Sequence, residues 1–383
     1  MDADYLRDVA DLCLRLLHVV AGIAWIGASF YFIRLDLGLR APADPDAAAR
    51  GVAGEYWGVH GGGFYHSQKY KVAPPRLPEE LHWFKWEAYT TWLSGFALLV
   101  LLYWLDADER LVDPAVADLS AWRAVGLSAA ALALAWLAYD AACRMLRDDR
   151  FVALVVAAIV ALSAFAAGEL FAARAAFLQV GAMLGTIMAA NVFFVIIPAH
   201  WELVRAKQEG REPEAAPGLR AKQRSVHNNY LTLPVVFTML AGHFPIAFGA
   251  GHAWLVLLAI FAIVAAIRHF FNRWHVGRRE WWILAAAGVA AVALAVPLAP
   301  DDVAATDVPG DAVAESIVTE RCQTCHAGVS APNGVRLETL AQMEQHADEI
   351  ERQVGSRAMP PGNATGLTDA EREQLVAWAA ARG

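Results

Sequence analysis

The sequence predicts an all-α protein in which an eight-helix transmembrane bundle is followed by a small soluble domain. Three observations carry this expectation. The 383 residues are 57% hydrophobic and 18% charged, with a mean hydropathy of +0.37, a balance suited to lipid rather than to a soluble protein of two or three domains. Eight apolar runs are long enough to cross a ~30 Å hydrocarbon core. Beyond the last run the chain turns polar and carries the pentapeptide Cys322-Gln323-Thr324-Cys325-His326.

The runs are Leu12–Ile33, Ala88–Leu105, Trp122–Ala142, Phe151–Phe171, Ala175–Ile197, Leu231–Gly249, His252–Phe271 and Trp281–Leu298. An even number returns both termini to one side. Lysine and arginine crowd segments 34–87, 143–150, 199–230 and 268–280. The alternate connections hold Arg110 among Asp106, Asp108, Glu109 and Asp113, and only acids at 299–320. The positive-inside bias therefore places both termini outside and the long 34–87 segment in the cytoplasm. The acidic start, Met1 to Asp11, predicts no cleavable signal peptide. A net charge of −8 gives no reason to expect nucleic acid. Cys13 and Cys143, in or beside apolar runs, read as unpaired core residues.

The pentapeptide has the attachment pattern of haem c: each thiol adds to a vinyl group, and His326 becomes an axial iron ligand. A zinc site or redox dithiol is the competing reading, but no further Cys or His ligands stand out nearby. Met359, in Arg357-Ala358-Met359-Pro360-Pro361, offers the thioether of a second axial ligand on a proline-stiffened loop. Haem attachment of this kind is chemistry of an extracytoplasmic compartment, in agreement with the charge bias. Residues 1–299 thus form the membrane domain, 300–310 a tether rich in Asp, Ala and Pro, and 311–383 a periplasmic class I-type cytochrome c domain. Thr368-Asp369-Ala370-Glu371 reads as a capping box opening the last helix, whose Leu375 and Trp378 are spaced to pack on the helix before Cys322.

Ionisable residues inside spanning helices are functional candidates by default. His18 lies ~10 Å inside the first helix at 1.5 Å per residue, and His243 lies at a similar depth in the sixth. Equal depth on two helices is what a bis-histidine haem b requires, and Gly22 and Gly242 leave room for a flat macrocycle. A histidine bonded to a backbone carbonyl is the simpler reading of either one alone. His82, His200, His227 and His269 gather at the cytoplasmic helix ends, as ligands of a second haem b, parts of a substrate pocket, or plain interfacial residues.

Within 34–87, Ala41–Ala49 reads as flexible, whereas Glu55 to His66 packs aromatics, His60 and His66 around a glycine triplet. Glycines permit close approach of a ligand, and aromatic rings such as Tyr65, Trp83 and Trp86 can stack on a planar one. Val226-His227-Asn228-Asn229-Tyr230 offers donors and acceptors to a polar heterocycle, or simply caps and anchors its helix.

The stretch from Trp57 to Tyr70, the run FKWEAYTTWLSGFALL from Phe84, Asn191–Pro198 and Val226–Pro234 together resemble the bacterial membrane-bound urate hydroxylases, whose eight-helix domain is fused to a C-terminal cytochrome c. The first helix, with His18, Trp25 and Arg34, is also similar to the opening helix of the small membrane protoporphyrinogen oxidases. Where Ala241-Gly242-His243-Phe244-Pro245 stands, the urate hydroxylases have a Ser-Asn-His-Tyr-Pro-like run. The resemblance implies oxidation of urate to 5-hydroxyisourate, with electrons passing to cytochrome c rather than to hydrogen peroxide. Urate is a planar anion, so Tyr65, Trp83 and Trp86 would stack on it, Asn191, Asn228, Asn229 and Tyr230 would bond it, and Lys85 would supply charge. His60 or His227 would act as general base, since imidazole titrates near neutral pH. One or two haems b and one haem c would carry electrons to a soluble periplasmic cytochrome c or a terminal oxidase. The rival readings are a quinol-to-cytochrome-c conduit without purine chemistry, and a haem-based sensor or transporter.

Overall fold

The computed structural model describes residues 3–146, 148–250, 252–299, 308–328 and 331–383. The tether at 300–310 falls largely outside them. The elements run α1 (Ala3–Gly38), α2 (Pro45–Ala49), β1 (Val52–His60), β2 (Gly63–Tyr70), α3 (Trp86–Leu99), α4 (Ala121–Met145), α5 (Asp149–Leu170), α6 (Ala173–Asn191), α7 (Ile197–Gln208), α8 (Ala215–Ala241), α9 (Pro245–Phe248), α10 (Ala253–His275) and α11 (Trp282–Ala295). In the C-terminal region follow α12 (Asp311–Arg321), α13 (Gln323–His326), α14 (Leu340–Gln345), α15 (Ala347–Gly355) and α16 (Asp369–Ala380).

Among the described residues, five helices are long and apolar enough to cross a membrane: Tyr5–Gly38, Ala121–Met145, Asp149–Leu170, Ala173–Gln208 and Ala253–His275. Three of the eight expected runs differ. The second becomes the 14-residue α3, continued by the π turn Val100–Trp104. The sixth is the 27-residue α8, which begins well before the apolar run because polar residues from Ala215 onward still favour helix. It stops at Ala241, before Gly242 and the helix-breaking Pro245. The eighth is a shorter apolar helix, Trp282–Leu298. Leu12, Leu16 and Ile23 on α1 and Leu154 and Leu162 on α5 stand exposed, as lipid-facing residues do. Neither Cys13 nor Cys143 belongs to the core: Cys13 is exposed and Cys143 half-buried.

Among the described residues the departure from an all-α fold is the antiparallel β1–β2 hairpin, with Trp57 opposite His66 and His60 opposite Gly63. Gly61 and Gly62 form its two-residue turn with φ of +56° and +81°, the left-handed pair that matches the twist of a tight hairpin. The glycine triplet is therefore turn chemistry rather than a ligand cradle. The stretch expected to be flexible contains α2, which Asp44 caps by accepting from the Asp46 N–H at 2.9 Å while Pro45 opens the first turn.

Chain contacts divide the molecule into two compact units: Met1–Leu98 with Leu184–Val235 and Ile263–Gly288, and Leu99–Met183 with Val236–Ala262 and Val289–Gly383. In the first unit, α1 packs on α3, where Gly22 faces the Thr91 methyl and His18 lies against Gly95. The π turn Val192–Ile196 joins α6 to α7, absorbing Pro198, which cannot donate to the helix ladder. Asp36 at the end of α1 pairs with Lys69 of β2 and, at 2.9 Å, with Lys222 of α8, fixing the hairpin to two helices.

In the second unit, the C-terminal domain has a core of Ala314, Ile317, Val318, Leu337, Met343, Ile350, Val354, Leu367, Leu375, Trp378 and Ala379. The capping box forms as expected: the Glu371 N–H donates to Thr368 Oγ1 at 3.2 Å, and Glu371 Oε2 accepts from the Thr368 N–H at 2.8 Å. Backbone bonding from Thr368 holds the Glu371 carboxyl below its usual range. Trp378 is fully buried and donates to Asp311 at 2.9 Å, a placement worth ~3–5 kcal/mol relative to alanine. This domain docks on the rest of its own unit. A side chain at Gly362 would meet the carbonyl oxygens of Glu109 and Val112, and one at Gly249 the backbone of Ser356.

Candidate functional site

The short α13 turn carries an exposed Cys325 and His326 directly after Cys322, which packs against the domain core. His326 Nδ1 lies 2.9 Å from the Val335 carbonyl oxygen. A carbonyl only accepts, so Nδ1 carries the proton and Nε2 keeps the lone pair that binds iron. Burial, with the neighbouring Cys325, pushes the Cys322 thiol up to about 11. No group of three or more His, Cys, Asp and Glu able to hold a metal ion occurs among the described residues.

Met359 is held at both backbone ends. Its N–H donates to the Gln353 carbonyl at 3.0 Å, and its carbonyl accepts from Arg372 at 2.9 Å. Arg372 also donates to the Val354 carbonyl at 2.5 Å, and burial lowers its pKa. Its Nε, with Thr365 Oγ1, is a buried donor without an acceptor. Haem carboxylates are acceptors of that kind, so this domain fits a haem c bound through Cys322 and Cys325, with His326 and Met359 as ligands.

His18 is held in one orientation by two contacts to α3. Its Nδ1 lies 2.9 Å from the Thr91 carbonyl oxygen and 3.2 Å from Ser94 Oγ, which leaves Nε2 available. Gly95 makes the fit possible, since a side chain there would come within 2.7 Å of the imidazole. The second residue of the expected pair differs from expectation: α8 ends at Ala241, so His243 sits exposed in the following turn rather than inside a helix. The room foreseen beside Gly22 is taken by Thr91, and that beside Gly242 by the Arg174 guanidinium. The two histidines belong to different units.

The candidates expected at the cytoplasmic helix ends and in the 34–87 segment make separate sets of contacts. His60 and Tyr65 are exposed near the hairpin tip. His66 stacks on Trp57 at 4.0 Å and bonds Glu55 at 2.9 Å. Bonds from the Ala43 N–H and from His66 hold the Glu55 carboxyl below its usual range. Trp83 stacks on Trp201 at 4.3 Å, and Lys85 lies over the Trp83 and Trp86 rings at 5.8 and 5.5 Å. His82 meets Phe84 edge-on, and His200 is exposed on α7. His269 Nδ1 bonds the Tyr230 hydroxyl at 2.7 Å.

The asparagines divide into two kinds. Asn191 donates to Asn228 at 2.9 Å, and Asn228 donates to the Met188 carbonyl at 3.0 Å, so this pair ties α6 to α8. Asn229, beside His227 on α8, instead accepts from Arg268 Nε at 2.5 Å. Arg268 was read in the sequence only as a topological charge, although its place at the end of an apolar run marked it as a candidate. A basic cavity of about 190 Å³, lined by Arg34, Gly38, Arg40, Tyr56, Trp274 and His275, lies in the same unit. Its residues come from α1, the segment just after it (Arg40, bridged to Glu55), the hairpin and α10, and no single stretch of sequence announces them.

No curated protein and no solved structure matches the chain. Two families do. Residues 311–378 match the family described as cytochrome C oxidase, cbb3-type, subunit III, in agreement with the haem c geometry. Residues 4–299, most of the chain, match the family described as urate oxidase N-terminal. The protein is an oxidoreductase of the urate oxidase N-terminal family, with a cytochrome c domain fused at its C-terminal end.

Proposed function

We propose that the chain is an inner-membrane urate hydroxylase that oxidises urate to 5-hydroxyisourate and delivers the electrons to its own haem c. The observation that carries this reading is the fusion itself: a urate oxidase domain over residues 4–299 continuing into a one-electron carrier over 311–378. The balanced reaction is urate plus water giving 5-hydroxyisourate, two protons and two electrons. The two electrons leave singly, and water supplies the oxygen atom.

Urate binds from the cytoplasm, and the N-terminus and haem domain face the periplasm, in keeping with the charge bias of the connections. His227, on the helix that also carries Asn229, is the better placed general base, since His60 is at the exposed hairpin tip. Trp83, Lys85 and Trp86 form the aromatic and basic flank, with Tyr65 on the hairpin. Asn191 and Asn228, bonded to each other, hold α6 and α8 in register behind Asn229 and Tyr230.

A ~30 Å apolar slab separates the two faces, so electrons need an internal stepping point. Held at His18 Nε2, a haem b would supply it; His82, His200 and His269, in the same unit as His18, are the candidate ligands for another. The final acceptor is a soluble periplasmic cytochrome c or a terminal oxidase. Turnover in ¹⁸O-labelled water should give product carrying one labelled oxygen and no hydrogen peroxide. Oxygen derived from O₂, or stoichiometric peroxide, would overturn the reading, and absence of urate turnover with active quinol oxidation would favour the quinol conduit.

A further inference from the structure

Arg268 lies in the apolar helix α10 and is 4% exposed. Arginine keeps its charge in any protein environment, so a buried guanidinium needs a partner. Among the described residues that partner is not a carboxylate. Its Nε donates to Asn229 Oδ1 at 2.5 Å, its guanidinium lies 3.9 Å from the Phe30 ring centroid, and its Nη2 is buried with no acceptor.

The same shortfall recurs in two neighbours. Asn229 is 0% exposed and has a buried Nδ2 without an acceptor. Asn272, one turn beyond Arg268 on α10, has a buried Oδ1 without a donor. Two unmet donors, one of them fully charged, thus stand near one unmet acceptor. The basic cavity continues along the same helix faces: Asn272 is followed by His275 at helical spacing, and Phe30 on α1 is followed by Arg34.

We infer that Arg268, Asn229 and Asn272 form the buried, anion-binding end of the substrate site, entered through the cavity lined by Arg34, Arg40, Tyr56, Trp274 and His275. This rests on the urate reading above and identifies the residues that recognise the anion. A planar purine monoanion meets all three demands: its charge answers Arg268, a ring carbonyl accepts from Asn229, and a ring N–H donates to Asn272. A porphyrin carboxylate has acceptors only and would leave Asn272 unmet. A neutral purine would leave Arg268 uncompensated. Tyr56 and Trp274 give the entering ring flat faces to pass along.

The test is equilibrium binding of radiolabelled urate to purified, oxidised full-length protein under argon. Arg268→Gln is expected to weaken binding by ~10²-fold or more, as loss of one partner of a buried charged contact does. Asn272→Asp places a carboxylate one turn from Arg268 and should weaken urate binding comparably while leaving the helix intact, so the test stands even if Arg268→Gln fails to fold. Wild-type protein should bind hypoxanthine, a neutral purine, far more weakly than urate, and non-covalent haem content should be the same in both variants. Urate binding unchanged by both substitutions would overturn the assignment alone, as would loss of non-covalent haem with urate binding retained, which would give the anion to a porphyrin carboxylate. Absence of urate binding by the wild-type protein would overturn the urate reading beneath it.

Discussion

Replacing His18 by alanine is expected to remove non-covalent haem from the membrane domain, leave haem c attached, and abolish reduction of haem c by urate. The expectation follows from the state of the imidazole. The Thr91 carbonyl fixes the proton on Nδ1, so Nε2 is a lone-pair donor on a side chain whose orientation is set by a second bond to Ser94. Gly95→Val provides an independent test, because its side chain would drive into the ring from α3 without altering the histidine itself. Both variants should show the same loss in a pyridine haemochrome assay, which separates non-covalent from covalent haem. Full b-type content in both would remove His18 from the electron path.

Gly249→Val is expected to slow urate-driven reduction of haem c by ~10²-fold, the scale of a misplacement of about 1 Å between reacting groups. The added side chain would meet the Ser356 backbone, with its Cα at 2.6 Å, three residues before Met359. Gly249 lies outside the cytochrome domain, so the fold and iron ligands of that domain stay as they are. Reduction of haem c by ascorbate, a small soluble reductant, should then proceed at the wild-type rate. Equal slowing by both reductants would mean that the haem domain itself had been damaged, and no slowing by either would mean that docking at this face does not govern transfer.

Much of the C-terminal domain was legible in the sequence because its signals are local. The haem motif, the Thr368–Glu371 cap and the spacing of Leu375 and Trp378 each depend on residues a few positions apart; the structure forms the cap and the packing as read, and the match of residues 311–378 to a cytochrome c family agrees with the motif. The membrane domain was legible to the level of its long apolar runs, five of which form helices able to span a membrane among the described residues, but not in its boundaries. A polar sequence such as Ala215 to Tyr230 continues a helix beyond any hydrocarbon layer, and Gly242 with Pro245 ends one inside an apolar run. The hairpin was hidden because its glycines invite two physical readings, close approach to a ligand or left-handed turn geometry, and only φ separates them.

The substrate-site candidates were partly legible for a similar reason. Asn191, Asn228 and Asn229 read alike as polar residues in an apolar setting, yet the first two satisfy each other and the backbone while Asn229 keeps an open donor. Arg268 and Asn272 become visible only when α10 is laid beside α1 and α8. That juxtaposition is tertiary, and no periodicity encodes it.

The most direct test of electron transfer from urate to haem c is anaerobic addition of urate to the oxidised full-length protein, recorded by the haem c absorption band. With protein in excess, each urate consumed should leave two electrons on the haems, and haem c should become reduced without any added mediator. Haem c that stays oxidised with urate, while ascorbate reduces it fully, would contradict the account.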